Sequence, residues 1–68
     1  MYDKSKLQEI IYEFVKNRTK QNETTASRHI HRRFDIPMVQ AEEVLKNLTD
    51  KNKIEKIYDK EYDELRYQ

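Results

Sequence analysis

The stretch Arg28-His29-Ile30-His31-Arg32-Arg33-Phe34, followed by Asp35-Ile36-Pro37 and then by Met38 through Asn52, decides the fold. In its first part Ala26, Ile30 and Phe34 recur every four residues, the spacing of a thin apolar helix face. Asp35-Ile36-Pro37 ends that helix, because Pro37 disfavours α geometry at Ile36 and suits the first turn of a new helix. From about Pro37 to Lys51, Ala41, Val44, Leu45 and Leu48 fall on one stripe. Asn52 stands where a helix needs a left-handed residue to stop, and Asn tolerates that conformation best among ordinary residues. The expectation is two helices joined by a very short turn.

Upstream, Ser5-Lys6-Leu7-Gln8 reads as a capping box with Ser5 as the N-cap. Leu7, Ile10, Ile11, Phe14 and Val15 follow at the spacing of one helix face, and this helix is expected to fade after Asn17 or Arg18. Thr19 to Glu23 is polar and aperiodic, a loop, and Thr24 or Thr25 is placed to cap the second helix. Downstream, Ile54, Ile57, Tyr58, Leu65 and Tyr67 are strand-friendly types separated by the polar run Asp59 to Asp63. That predicts a hairpin with a loop of about five residues. Ile57 breaks the parity shared by Ile54 and Tyr58, so a bulge or a short first strand is implied. The rival reading is a fourth helix, since Tyr58, Tyr62 and Leu65 also fit its spacing; the hairpin is preferred.

A chain of 68 residues makes one domain, residues 1–68, near the lower size limit for a core without staples. There is no cysteine, which removes disulfides and thiolate metal sites and suits a cytoplasmic protein. No apolar run approaches the roughly 20 residues that span a bilayer, and Met1-Tyr2-Asp3-Lys4-Ser5 has no h-region of a secretory signal. The absence of glycine, with frequent Lys, Ile, Asn and Tyr, matches usage in AT-rich prokaryotic or phage genomes. It also removes phosphate-cradling loops and nucleophile elbows, so an enzyme is not expected. His29 and His31 lie two apart on different helix faces and do not chelate one metal; no metal or small-molecule cofactor is expected. His31 reads as a partly buried structural residue.

From Ser5 to Tyr67 the chain resembles the winged helix-turn-helix superfamily. Phe34 and Ile36 match the apolar pair bracketing that superfamily's inter-helix turn. Ala41, Leu45 and Leu48 match the inward residues of its recognition helix, and Ile54 the first apolar residue after it. Asp35 and Asn52 sit where glycine is common, and His31 where a small residue is usual. The resemblance implies a small α+β winged helix, three helices followed by a two-stranded β-hairpin wing. The core expected within it is Leu7, Ile10, Ile11, Phe14, Ile30, Phe34, Ile36, Ala41, Val44, Leu45, Leu48, Ile54 and Leu65.

It also implies non-enzymatic binding of double-stranded DNA in transcriptional regulation or replication. A domain this small would act as a homodimer or within a larger assembly. Met38, Gln40 and Lys46 would then meet the groove, while Arg28, Arg32 and Arg33 held phosphates. Lys60 would do so from a wing otherwise acidic at Asp59, Glu61, Asp63 and Glu64. Lys4, Lys6, Lys16, Arg18 and Lys20 would extend the basic surface. Charge divides along the chain. Residues 1–36 carry eight Lys/Arg against five Asp/Glu, and residues 37–68 carry six against eight. Glu42 and Glu43 open the recognition helix, where they complement its dipole but oppose phosphate. The alternative is therefore a protein-protein interaction module using the acidic third helix and wing. The tyrosines read mainly as packing residues, with exposed members available to anchor a partner.

Overall fold

The computed structural model describes residues 3–68, so the packing expected of Tyr2 lies outside the described residues. Five elements follow in order: α1 (Lys4–Lys20), α2 (Ser27–Phe34), α3 (Met38–Asp50), β1 (Lys56–Asp59) and β2 (Glu64–Tyr67). The strands form one antiparallel hairpin. This is the expected α+β architecture of a small winged helix, and the fourth-helix alternative is not realised.

The helix ends show how a chain without glycine stops its helices. Asn22, Asp35 and Asn52, just past α1, α2 and α3, have φ of 62°, 53° and 59°. Each is followed by a backbone bond of the Schellman type: Glu23 N–H to Arg18 carbonyl, Ile36 N–H to His31 carbonyl and Lys53 N–H to Leu48 carbonyl. Asp63 in the hairpin loop is the fourth left-handed residue, at φ 53°. All four are Asn or Asp, whose short polar side chains tolerate this region.

The helix starts differ from expectation. Asp3, not Ser5, caps α1, its carboxylate accepting the Ser5 N–H at 3.2 Å. An acceptor two residues before Ser5 N–H outcompetes the capping box, and α1 then runs on to Lys20. Pro37 occupies the N-cap of α3 rather than its first turn. Neither Thr24 nor Thr25 caps α2; its N-cap is Ala26. His29 Nδ1 accepts the Ala26 N–H at 2.9 Å, standing where a capping box places Glu or Gln. Thr25 is instead paired with Tyr67 through two 2.8 Å backbone bonds, so one residue before α2 extends the sheet beyond β2.

Leu7, Ile11 and Val15 of α1 meet Ile30, Phe34, Ile36, Ala41, Val44, Leu45, Leu48 and Ile54 in one buried cluster. Phe14, Tyr12 and Tyr67 pack against it partly buried, with Phe14 edge-on to Phe34 at 5.5 Å between centroids. Two residues expected inside are not. Ile10 is 37% exposed, because the narrow stripe of α1 that faces α3 is filled by Leu7, Ile11 and Val15. Leu65 is 56% exposed, while its neighbour Arg66 is 2% exposed. The strand parity is thus opposite to the one that hydrophobicity favours. The loop between the strands holds four residues, Lys60 to Asp63. β1 begins only at Lys56, so Ile54 lies before the strand and its parity conflict with Ile57 disappears.

Arg66 is inward because its guanidinium has partners there. Nη2 donates to the Thr24 carbonyl at 3.0 Å, Nη1 pairs with Glu64 at 3.3 Å, and the group lies 3.8 Å from the Tyr62 ring centroid. Its Nε has no hydrogen-bond partner. Asp59 accepts from Thr24 Oγ1 at 2.8 Å on the same side.

Asn52→Ala is expected to lower stability by about 1 kcal/mol, the cost of a Cβ in left-handed geometry, whereas Asn52→Gly should not; urea denaturation of both variants measures this. Arg66→Ala should lose about 3 kcal/mol by the same assay, since it strips a buried group from Thr24 and Glu64. Burial, and then the positive Arg18, Arg66 and Arg28, hold the His29 pKa below its ordinary 6.5, with Glu64 opposing. The unfolded chain therefore takes up a proton that the folded chain resists. This contribution to stability is complete above pH 6.5 and declines as pH falls from 6.5 toward the depressed folded value. His29→Gln, which keeps an acceptor for Ala26 N–H, should flatten that part of a stability-against-pH curve; an unchanged slope would assign it elsewhere.

Candidate functional site

The residues expected to grip a polyanion differ in how the fold engages them. Arg28 is held by Glu64 of β2 in a two-pronged contact, Nη1 to Oε2 at 2.7 Å and Nη2 to Oε1 at 2.8 Å. That contact raises the Arg28 pKa and lowers that of Glu64, chiefly through the hydrogen bonds, so both stay charged. Arg28 therefore ties α2 to the hairpin. Arg18 turns onto the same junction, Nε donating to Thr25 Oγ1 at 3.0 Å and Nη2 to the Thr24 carbonyl at 2.8 Å, with Glu23 at 3.4 Å. Arg33 lies 5.4 Å from the Phe34 ring centroid. Arg32 is exposed and makes no ion pair among the described residues. Lys60 is exposed in the hairpin loop between Asp59 and Glu61.

On α3, burial of Ala41, Val44, Leu45 and Leu48 turns Val39, Glu42, Glu43, Lys46 and Asp50 to solvent. Val39 is 77% exposed and Met38 36%. Lys46 faces Asp50 one turn on at 3.7 Å, so the cation on this face has an acidic neighbour of its own. Glu42 and Glu43 are exposed and form no ion pair among the described residues. Gln40 departs from the group: it is half-buried in a cleft between α1 and α3 with Leu7, Gln8 and Asn47. His31 is structural, its Nδ1 lying 2.5 Å from the Ile36 carbonyl across the α2–α3 turn, so that Nδ1–H donates to it.

The hairpin has two unlike faces. Asp59, Glu64 and Arg66, with Ile57, form the face turned onto Thr24 and α2. Lys56, Tyr58, Leu65 and Tyr67 form the other, since Lys56 pairs with Tyr67 and Tyr58 with Leu65. Lys56 and Tyr67 line an open trough whose far wall is α3, with Val39, Glu42, Glu43 and Lys46. Burial and then the Glu42 carboxylate raise the Tyr67 pKa, which places that charge's field at the phenol. Beyond the trough the same face carries Tyr58 and Leu65, 54% and 56% exposed, with Tyr58 donating its hydroxyl proton to Asp63. Tyr58 and Leu65 thus leave apolar surface exposed on the hairpin, and of the two only Leu65 was expected in the core.

Leu65 is the surface residue that sequence reasoning placed in the core, whereas Val39 was read among the residues that the third helix presents outward. Val39 sits beside Met38 at the start of α3, where its position outside the apolar stripe was a readable signal. Leu65 had none, because its side is set by Arg66. Among the described residues no helix is long and apolar enough to cross a membrane, and no cluster of three His, Cys, Asp or Glu is placed to hold a metal ion. Comparison with protein-family models, curated proteins and solved structures finds no match to this chain.

Proposed function

We propose that this chain is a non-enzymatic protein-interaction module of the winged helix-turn-helix superfamily, which binds its partner through α3 and the hairpin. Superfamily membership is inferred from the order of elements and from the sharp α2–α3 corner at Asp35-Ile36-Pro37. The observation that carries the function is the makeup of the outward face of α3. It bears Glu42, Glu43 and Asp50 against one lysine, Lys46, and it borders half-buried Tyr67 and the hairpin face that carries exposed Leu65 and Tyr58. A DNA phosphate brought to that helix meets like charge without an arginine to offset it. Exposed aromatic and aliphatic groups with a polar rim are instead the usual material of a protein interface.

Duplex DNA binding, in transcriptional regulation or replication and as a homodimer, is the second reading. Exposed Arg32 and Arg33 on α2 and Lys60 at the hairpin tip favour it, together with Met38 and Val39 at the exposed start of α3.

Fluorescence anisotropy with a mixed-sequence duplex at low salt separates the two. Phosphate contacts are strongest there, and no binding is expected. Binding that weakens with added salt, and weakens further in Arg32→Ala and Lys60→Ala, would overturn the protein reading in favour of DNA.

A further inference from the structure

We propose that the trough between α3 and the hairpin takes a basic amphipathic segment of a partner protein. One apolar side chain of that segment seats between Val39 and Tyr67, and its Lys or Arg residues meet Glu42 and Glu43. This rests on the protein-binding reading above and names the chemistry of the partner.

The argument is one of charge and shape. The walls supply apolar contact at both sides, from Val39 on the helix and from Tyr67 on the strand. Val39 at 77% exposure is a β-branched aliphatic left in water at the first turn of a helix, with no intramolecular packing to account for it. The rim is acidic where it is unpaired. Lys46 is next to Asp50 and Lys56 lies on the far wall, while Glu42 and Glu43 form no ion pair among the described residues. An acidic segment or a phosphate chain is repelled there, and a purely apolar one leaves both carboxylates without partners. A segment that alternates cations with one large apolar residue satisfies both walls. Tyr58 and Leu65, on the hairpin face that continues the trough, lengthen the apolar track toward the loop. The occupant therefore runs along the hairpin as well as across the helix.

The test is selection of random displayed peptides on the full chain, followed by affinity measurements. Variants Val39→Asp and the double change Glu42→Lys with Glu43→Lys are compared with the unchanged protein. All three sites are exposed, and thermal unfolding by circular dichroism checks that the variants fold. If the double lysine variant unfolds early, Glu42→Gln with Glu43→Gln carries the same expectation.

Enriched peptides should combine Lys or Arg with a Leu, Phe or Trp, and should bind each variant about tenfold or more weakly, a loss of about 1.4 kcal/mol. Peptides that lack the basic bias, or that bind the variants unchanged, overturn this trough as the site while leaving a protein partner elsewhere on the surface. Absence of any enriched peptide overturns the proposal, and if duplex DNA binds as well, the protein reading falls with it. Concentration-dependent self-association in sedimentation, abolished by Val39→Asp, would assign the trough to a second copy of this chain and equally overturn it.

Discussion

Two strands of four residues do not form a stable hairpin in water on their own, so something must fasten this one to the helices. The buried Arg66 guanidinium does so. A buried charge is tolerated only where its donors find acceptors, and here those are the Thr24 carbonyl and Glu64. Glu64 in turn holds Arg28 of α2, and the Thr25–Tyr67 bridge aligns the strand beside the loop that precedes α2. These contacts set the face as well as the place. A slip of one residue would exchange the two sides of β2, leaving Leu65 against the Thr24 carbonyl and stranding Glu64 and Arg28.

The outer surface follows from that constraint. With Glu64 and Arg66 turned inward, Leu65 and Tyr67 must lie on the opposite side, and their partners Tyr58 and Lys56 with them. This is the side that meets α3. The apolar track beside α3 is therefore a consequence of where a charged residue had to go. The same network ties up cations in contacts of its own. Arg18, Arg28 and Arg66, three of the five arginines, are engaged at the junction of α1, α2 and the hairpin. The positive excess of the N-terminal half, read along the chain, suggested a basic face; in three dimensions two of its arginines, Arg18 and Arg28, are engaged in bracing contacts.

Much of the fold was legible because it rests on local physics. The stripe Ala41, Val44, Leu45 and Leu48 is buried as its spacing demands, and Leu7, Ile11, Ile30 and Phe34 meet it. Asp35 and Asn52 mark helix ends because few residues other than Asn, Asp and Gly accept left-handed geometry, and this chain has no glycine. Asn22 belongs to the same group, but it lay in a polar run with no flanking apolar pattern to mark it. The capping expectations at Ser5 and Thr24 or Thr25 failed for one shared reason. Several side chains near each helix start have suitable oxygens: at α1 the nearby Asp3 takes the Ser5 N–H, and at α2 Thr25 is drawn off by Tyr67.

The sequence by itself determined the three helices, their short α2–α3 turn, most of the core and the acidic character of α3, because helix periodicity and left-handed caps act over a few neighbouring residues. Only the tertiary structure decided which face of the hairpin is outward and which arginines remain free. Hydrophobicity favours Leu65 inside, and it is overruled because Arg66 has the Glu64 carboxylate two residues away on the same strand face and the Thr24 carbonyl, supplied from a segment distant in sequence. Pairing of that kind depends on what the folded chain brings together, and no local pattern encodes it.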